Sequence, residues 1–192
     1  MVNSVKNIRL FTNGDLMVKM IFYHGTSEEN AKRIEKEGFV PDRKYNWKVK
    51  GKKGFVYLSL AYAPFYALNA GFPRLAIIKV EVDTEDLYPE DDFIMLAMKR
   101  PSYTQNEINM IDLEEYKNLW VESIQYLGNV AVKPEKIRVL GIRFFDGKKL
   151  IMKCDPVISP LNYKILGEYY RKLTEWIFDG KDFMEFPSFM AV

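Results

Sequence analysis

The chain has 192 residues, and its 28 lysines and arginines against 26 aspartates and glutamates leave a net charge of +2. This length suits one domain, and a hydrophobic content of 48% is enough for a substantial core. The near-neutral balance neither indicates nor excludes a nucleic-acid partner. A single cysteine, Cys154, and a single histidine, His24, are too few soft ligands for a structural zinc site.

Cellular location is predicted from two further features. No apolar run approaches the roughly 20 residues that cross a bilayer, and no signal-peptide segment opens the chain. A lone cysteine is typical of a reducing compartment. We therefore expect a cytoplasmic or host-intracellular protein with no membrane partner. Residues 1–192 are expected to form a single domain, with a core over 1–153 and a C-terminal helical extension over 154–192.

The first elements predicted are two strands joined by a tight turn. Residues 6–11 and 16–23 are apolar runs on either side of Asn13-Gly14. That dipeptide tolerates the positive φ angles of a hairpin turn. The second strand is expected to end at His24.

A short helix is predicted after that strand, to about Glu37. Ser27 is a good N-cap residue, and the two glutamates that follow it favour the positive end of a helix. Gly38 supplies the left-handed stop. The basic segment 43–53 that comes next is interpreted as a solvated loop.

Three elements are then predicted in turn: a short buried strand over 54–59, a small-residue helix over 61–70 with Pro64 in its first turn, and a buried strand over 75–82. Residues 83–92 are acidic and are predicted to form a loop.

The rest of the chain is predicted to hold a helix over 108–119 and, within residues 121–132, strand structure around Gly128. A second hairpin is expected at Asp146-Gly147, between residues 137–145 and 148–153. An amphipathic helix begins at Ser159-Pro160. Its apolar stripe is predicted to be core: Leu161, Ile165, Leu166, Tyr169, Leu173, Trp176 and Ile177.

Three of these segments carry polar groups in a recognisable order. Tyr23-His24-Gly25-Thr26 precedes the first helix, Tyr57-Leu58-Ser59 precedes the small-residue helix, and Pro89-Glu90-Asp91-Asp92 follows the buried strand over 75–82. This order resembles the ADP-ribosyltransferase superfamily, and within it the His-Tyr-Asp branch of rifampin ADP-ribosyltransferases and their phage and prokaryotic relatives. The resemblance covers about residues 20–95 well and is weaker over 120–145.

The resemblance implies an α+β fold with a split, mostly antiparallel β core, short flanking helices and a C-terminal helix. It implies an enzyme that uses NAD as co-substrate and transfers ADP-ribose to an acceptor with release of nicotinamide. The acceptor stays open between a protein, a nucleic acid and a small molecule.

The resemblance also implies site residues. His24 would bond the ribose hydroxyls, Tyr57 would stack on the nicotinamide ring, and Asp92 would stabilise the oxocarbenium-like transition state. The third catalytic position stays open. Asp91 lies next to Asp92, and other branches of the superfamily place a glutamate on a later strand, which would correspond to Glu122 or Gln125. Cofactor-binding roles would fall to residues near the first two motifs: Tyr23, Gly25, Thr26, Ser59, Phe65 and Tyr66. Arg43 or Lys44 could bind the pyrophosphate.

Two alternatives remain beside this hypothesis. One is an NAD-dependent RNA 2′-phosphotransferase, which needs a set of basic residues that only the 43–53 segment offers. The other is a non-catalytic binding module on the same fold, because fold alone does not establish function.

Overall fold

The computed structural model describes residues 18–41, 51–70, 73–99, 102–154 and 163–187. The predicted strand over 6–11, its Asn13-Gly14 turn and most of the basic segment lie outside these residues. The described helices and strands, in chain order, are β1 (Lys19–Ser27), α1 (Glu28–Glu37), β2 (Val56–Ser59), α2 (Ala63–Ala70), β3 (Arg74–Asp83), β4 (Leu87–Pro89), α3 (Asp91–Ala97), α4 (Gln105–Met110), α5 (Trp120–Leu127), β5 (Asn129–Val132), β6 (Arg138–Asp146), α6 (Gly147–Ile151) and α7 (Tyr163–Phe178).

The six described strands form one sheet in the order β4-β5-β2-β1-β3-β6, with every neighbouring pair antiparallel. The α+β class is therefore confirmed. Strand β1 pairs with β3 over its full length, from Lys19 opposite Asp83 to Ser27 opposite Leu75. It pairs with β2 at one position only, Tyr23 opposite Ser59. Beyond this pair, the main chains of β1 and β2 separate and form no further pairs.

Both faces of the sheet are covered. Leu75 and Ile77 of β3 point to a cluster that includes α2, α6 and α7, while Ile78 and Val80 belong to a second cluster with α1 and α5. The near-continuous apolar run in β3 is therefore a strand buried on both faces, as predicted. Of the predicted core stripe, Leu166, Tyr169, Leu173 and Ile177 are buried in α7, and the half-buried Trp176 packs against the same cluster. Leu161 and the side chain of Ile165 lie outside the part of the chain that the structure describes.

Several local predictions are confirmed. Helix α1 ends at Glu37, the Ser27 side chain accepts from the Asn30 N–H, and Gly38 has φ 76°. Pro64 lies in the first turn of α2. Strand β1, however, continues past His24 to Ser27, because its pairing with β3 extends that far.

The predicted acidic loop over 83–92 is wrong. A 3-10 turn over Thr84–Asp86 leads into β4, whose three residues are buried and pair with β5. Asp91 and Asp92 then occupy the first turn of α3, where carboxylates favour the positive helix end. A three-residue strand is too short to show a hydrophobic periodicity, so whether it forms depends on its pairing with a strand that is distant in the chain.

The predicted hairpin at Asp146-Gly147 is also wrong. Strand β6 runs to Asp146, whose side chain accepts from the Lys148 N–H and caps α6. Aspartate favours helix caps as well as turns, so the dipeptide alone does not distinguish them.

The region over 105–132 is more helical than predicted. Helix α4 begins at a Thr104-Glu107 capping box and already ends at Met110. Helix α5 occupies the first part of residues 121–132, and Gly128, at φ 70°, ends it. The strand expected around Gly128 is β5, which begins at the next residue.

No helix in the described ranges is long and apolar enough to span a membrane.

Candidate functional site

A cleft of about 970 Å³ opens where β1 and β2 part. One side is formed by the end of β1 and by α1, with His24, Thr26 and Arg33 among the lining residues. The other side is formed by β2, α2, the start of α3 and the start of β5. It includes the side chains Tyr57, Tyr66, Glu90, Asp91, Asp92, Tyr103 and Asn129.

His24 joins the two central strands through its side chain. Its Nδ1 lies 3.0 Å from the backbone oxygen of Tyr57, directly beyond the last main-chain pair. Burial lowers the pKa of His24, so the imidazole is neutral at neutral pH. A carbonyl only accepts, so Nδ1 carries the proton and donates to Tyr57. Nε2 is therefore left as a hydrogen-bond acceptor.

Tyr57 is held at both its ring and its hydroxyl. The hydroxyl accepts from the Lys52 N–H at 2.5 Å and donates to the Asp91 carboxyl. A Cβ on Gly51 would lie 2.2 Å from the Tyr57 ring, so only glycine allows the loop to pass there. Burial and the Asp91 charge raise the pKa of Tyr57 well above its ordinary value, which keeps the phenol protonated.

Helix α1 presents one polar face to the cleft. Asn30 and Arg33 lie three residues apart, and the Arg33 guanidinium donates to the Asn30 side-chain oxygen. Among the described residues that line the cleft, Arg33 is the single lysine or arginine. Arg33 was not among the predicted site residues, although the spacing of Ser27, Asn30 and Arg33 places all three on one helix face.

We call Glu90, Asp91, Asp92 and Asn129 the acidic wall. Glu90 is fixed by a buried network at the start of β5: Asn129 Nδ2 donates to Glu90 Oε2 at 2.9 Å and to the Tyr66 hydroxyl at 2.6 Å. The Ser123 hydroxyl accepts from the Glu90 N–H and donates to the Asn129 carbonyl. Burial, with the neighbouring Asp92 charge, raises the pKa of Glu90 well above its ordinary value.

Two buried oxygens of the acidic wall lack a hydrogen-bond partner among the described residues. They are Asp91 Oδ1 and Asn129 Oδ1, on side chains that are each 3% exposed. Buried acceptors of this kind are rare in native structures, where an ordered water, an ion or a bound donor usually satisfies them. Burial also raises the pKa of Asp91 to about 6.

The Asp91→Asn variant should be more stable than the parent protein at neutral pH. A pKa raised from 3.8 to about 6 means that ionisation of Asp91 costs the folded state up to about 3 kcal/mol, fully felt above pH 6. Asparagine keeps an acceptor for Tyr57 and never ionises. Urea unfolding should show a gain of about 1–3 kcal/mol near pH 7.5, shrinking to under about 1 kcal/mol near pH 4.

Asp92, the exposed neighbour of Asp91, supplies the matched control for this prediction. Asp92→Asn removes the same charge from the same helix turn, but it relieves only the repulsion between Asp92 and the buried carboxyl groups of Glu90 and Asp91, so its gain in stability should be clearly smaller than that of Asp91→Asn. An Asp91→Asn protein with unchanged or lower stability at both pH values would contradict the prediction.

The four residues expected as candidates for a third catalytic residue differ in their positions in the structure. Asp92 lines the cleft, is exposed, and accepts at Oδ1 from the Tyr103 hydroxyl. Asp91 lines it too, but is buried against Tyr57. Glu122 and Gln125 are candidates because other branches of the superfamily carry a glutamate on a late strand. Both residues instead lie exposed on helix α5 and do not line the cleft.

Of the expected cofactor-binding residues, Thr26 and Tyr66 line the cleft. Tyr23 also contributes to the lining, but its ring packs against Phe178 in the apolar cluster, and burial raises its pKa to about 12. Gly25 lines the cleft, yet its lack of a side chain serves packing: a Cβ would lie 1.9 Å from the Ala63 carbonyl oxygen in α2.

Ser59 and Phe65 are not brought to the cleft. The Ser59 hydroxyl accepts from the Tyr62 N–H at 2.8 Å and so orders the turn before α2. Phe65 packs against the cluster around α2 and α7. Arg43 and Lys44 lie outside the described residues. The residues that sequence reasoning missed, apart from Arg33, are Glu90, Tyr103 and Asn129.

The chain matches no protein-family model, no curated protein sequence and no solved structure.

Proposed function

We propose that this protein is an NAD-dependent mono-ADP-ribosyltransferase that uses the cleft between β1 and β2. One observation carries the proposal: His24 and Tyr57, the first two residues of the expected triad, meet in this cleft and are joined by a hydrogen bond. The carboxylates of the acidic wall, including Asp92, line the same space. The three motifs are separated in the sequence, and residues of all three line this one cleft.

The size of the cleft suits a dinucleotide, and the one guanidinium in its described lining suits the pyrophosphate. Its volume of about 970 Å³ lies within the roughly 300–1,000 Å³ of small-molecule sites. Arg33 offers a guanidinium on the α1 side, and such groups recognise phosphates in a bidentate way. The Tyr57 ring is held in place at its hydroxyl, so stacking on a nicotinamide costs little further ordering.

NAD supplies the transferred group: the bond from ribose C1′ to the nicotinamide nitrogen breaks, that nitrogen keeps the electron pair, and C1′ bonds to an acceptor heteroatom that loses a proton. The neutral His24 positions the ribose by accepting from a hydroxyl at Nε2. Tyr57 stacks on the leaving ring, with a contribution of about 0.5–1.5 kcal/mol beyond burial. Asp92 stabilises the positive charge that develops at C1′ and takes up the acceptor proton.

Removing the Tyr57 ring should abolish most of this activity. The Tyr57→Ala variant is expected to release nicotinamide from NAD about 100-fold more slowly than the parent, because both the stacking surface and the Asp91 contact are lost. Liquid chromatography of nicotinamide after incubation with NAD measures the rate. Tyr126→Ala removes a tyrosine that is 61% exposed on α5 and should leave the rate unchanged.

Different failures of this assay have different meanings. No nicotinamide release by the parent protein, together with no NAD-induced thermal shift, would refute the proposal. An NAD-induced shift without release would instead favour the non-catalytic binding module. Release that requires a 2′-phosphorylated oligonucleotide would favour the phosphotransferase, which the single basic residue of the described lining does not support.

A further inference from the structure

Lys52 contacts two different parts of the structure. Its backbone N–H donates to the Tyr57 hydroxyl at 2.5 Å. Its side-chain Nζ donates to the backbone oxygen of Asn109 at 2.5 Å and to the backbone oxygen of Ile111. Asn109 lies in the last turn of α4, and Ile111 directly follows that turn. We call these two Nζ contacts the lysine latch, because they connect the loop before β2 to the C-terminal end of α4.

The end of α4 is a suitable and a fixed anchor for an ammonium group. The last carbonyl oxygens of a helix have no partner within it, and the helix dipole places partial negative charge there. A capping box at Thr104 and Glu107 fixes the first turn of α4. The buried side chains of Ile108 and Ile111 belong to an apolar cluster against which the Tyr57 ring also packs. Helix α4 therefore provides a fixed point close to this ring.

The loop that carries Lys52 passes directly against Tyr57. A Cβ on Gly51 would lie 2.2 Å from the Tyr57 ring. The Phe55 N–H donates to the Lys52 carbonyl at 3.4 Å, which closes a β-turn into β2. Gly54, at the third position of this turn, has φ 85°, a conformation that favours glycine. With so little slack in the loop, a shift of Lys52 would be transmitted to the ring.

The orientation of the Tyr57 ring depends on the two partners of its hydroxyl. The hydroxyl accepts from the Lys52 N–H and donates to the Asp91 carboxyl. If the loop moved away from α4, the hydroxyl would keep only one of these partners. The ring would then be free to turn within the cleft that it lines.

We propose that Lys52 is a positioning residue, whose ammonium group holds the loop before β2 on α4 and so fixes the Tyr57 ring in the cleft. The sequence interpretation of segment 43–53 as a solvated loop gives Lys52 no such task. The effect on the ring depends on the structure alone. The effect on turnover rests on the proposed function, in which this ring stacks on the nicotinamide of NAD.

Nuclear magnetic resonance of isotope-labelled tyrosine rings tests the latch without any turnover. Lys52→Met keeps the backbone N–H and the length of the side chain but removes the ammonium group. The Tyr57 signal, identified by its loss in Tyr57→Phe, should shift or broaden in Lys52→Met. Lys52→Arg keeps a cation with several N–H donors and should return the signal toward its parent position. Lys53→Met removes the neighbouring exposed lysine and should leave the signal unchanged.

A double-mutant cycle tests the effect on turnover. Lys52→Met should slow nicotinamide release from NAD about ten-fold, because the stacking ring loses its fixed orientation. In the Tyr57→Phe protein, which keeps the ring but has no hydroxyl, the same substitution should slow release by no more than about two-fold. A lysine that only supports the fold would slow both proteins equally.

Three results would overturn the proposal. They are an unchanged Tyr57 signal in Lys52→Met, equal slowing of release with and without the Tyr57 hydroxyl, and loss of the folded state of Lys52→Met by circular dichroism. In the last case the lysine would serve the fold as a whole.

The failure of this inference is distinct from the failure of the proposed function. If the parent protein releases no nicotinamide, the transferase proposal falls, and the tyrosine spectrum still decides whether the latch holds the ring. If nicotinamide is released but the Tyr57 signal does not respond to Lys52→Met, the transferase proposal stands and the positioning role falls.

Discussion

Replacing Gly25 by alanine should destabilise the protein by about 3 kcal/mol or more, the largest stability effect that we expect from a single methyl group. A Cβ at this position would lie 1.9 Å from the Ala63 carbonyl oxygen and 2.6 Å from the Ala67 nitrogen. Both are backbone atoms of α2, so no side-chain rotation relieves the contact. Helix α2 must move away from β1, and the cleft wall moves with it. Urea unfolding followed by circular dichroism measures the loss.

Gly141→Ala is the matched control. It adds the same methyl group to another strand, where the nearest atom is a Phe178 ring carbon at 3.8 Å, an ordinary contact distance. Its stability should stay within about 0.5 kcal/mol of the parent. A Gly25→Ala protein as stable as the Gly141→Ala protein would contradict the close approach of β1 and α2.

Replacing His24 should have the largest effect on activity. His24→Ala removes both the bridge to the Tyr57 carbonyl and the Nε2 acceptor, so we expect nicotinamide release to fall at least about 100-fold. The free energy of unfolding should also fall by about 1–3 kcal/mol, because the Tyr57 carbonyl loses its donor. Steady-state kinetics and urea unfolding of the same preparation measure the two losses.

Asparagine at position 24 separates the two roles of this histidine. His24→Asn retains an N–H donor near the position of Nδ1 but has nothing at the position of Nε2. We therefore expect most of the stability to return while the activity stays low. Activity of His24→Asn close to that of the parent would mean that the histidine acts only as a structural bridge between the strands.

The sequence predicted well where the signal is local. Ser27 and Gly38 mark the ends of α1 within twelve residues of each other, and the β-branched run of β3 indicates a strand buried on both faces without reference to any partner. His24 and Tyr57 were predicted as site residues from the resemblance in motif order. Both line the cleft, and their assignment to a functional site stays a prediction.

The sequence predicted poorly where the position or contacts of a side chain depend on a partner that is distant in the chain. Glu90 lies 39 residues from Asn129, and nothing in either segment indicates their hydrogen bond. Ser59 has the motif position of a ligand-binding hydroxyl, but the nearest unsatisfied N–H groups are those of the turn before α2, and its hydroxyl is used there.

By itself, then, the sequence determined the main buried strand and the ends of the first helix, because caps, periodicity and residue type act over a few residues. The α+β class and the candidate pair His24 and Tyr57 were expected from the resemblance in motif order. Only the tertiary structure decided which side chains form the acidic wall. Strand β5 inserts between β2 and β4, which brings Asn129 to Glu90, and the parting of β1 from β2 after a single pair leaves the space that these side chains line.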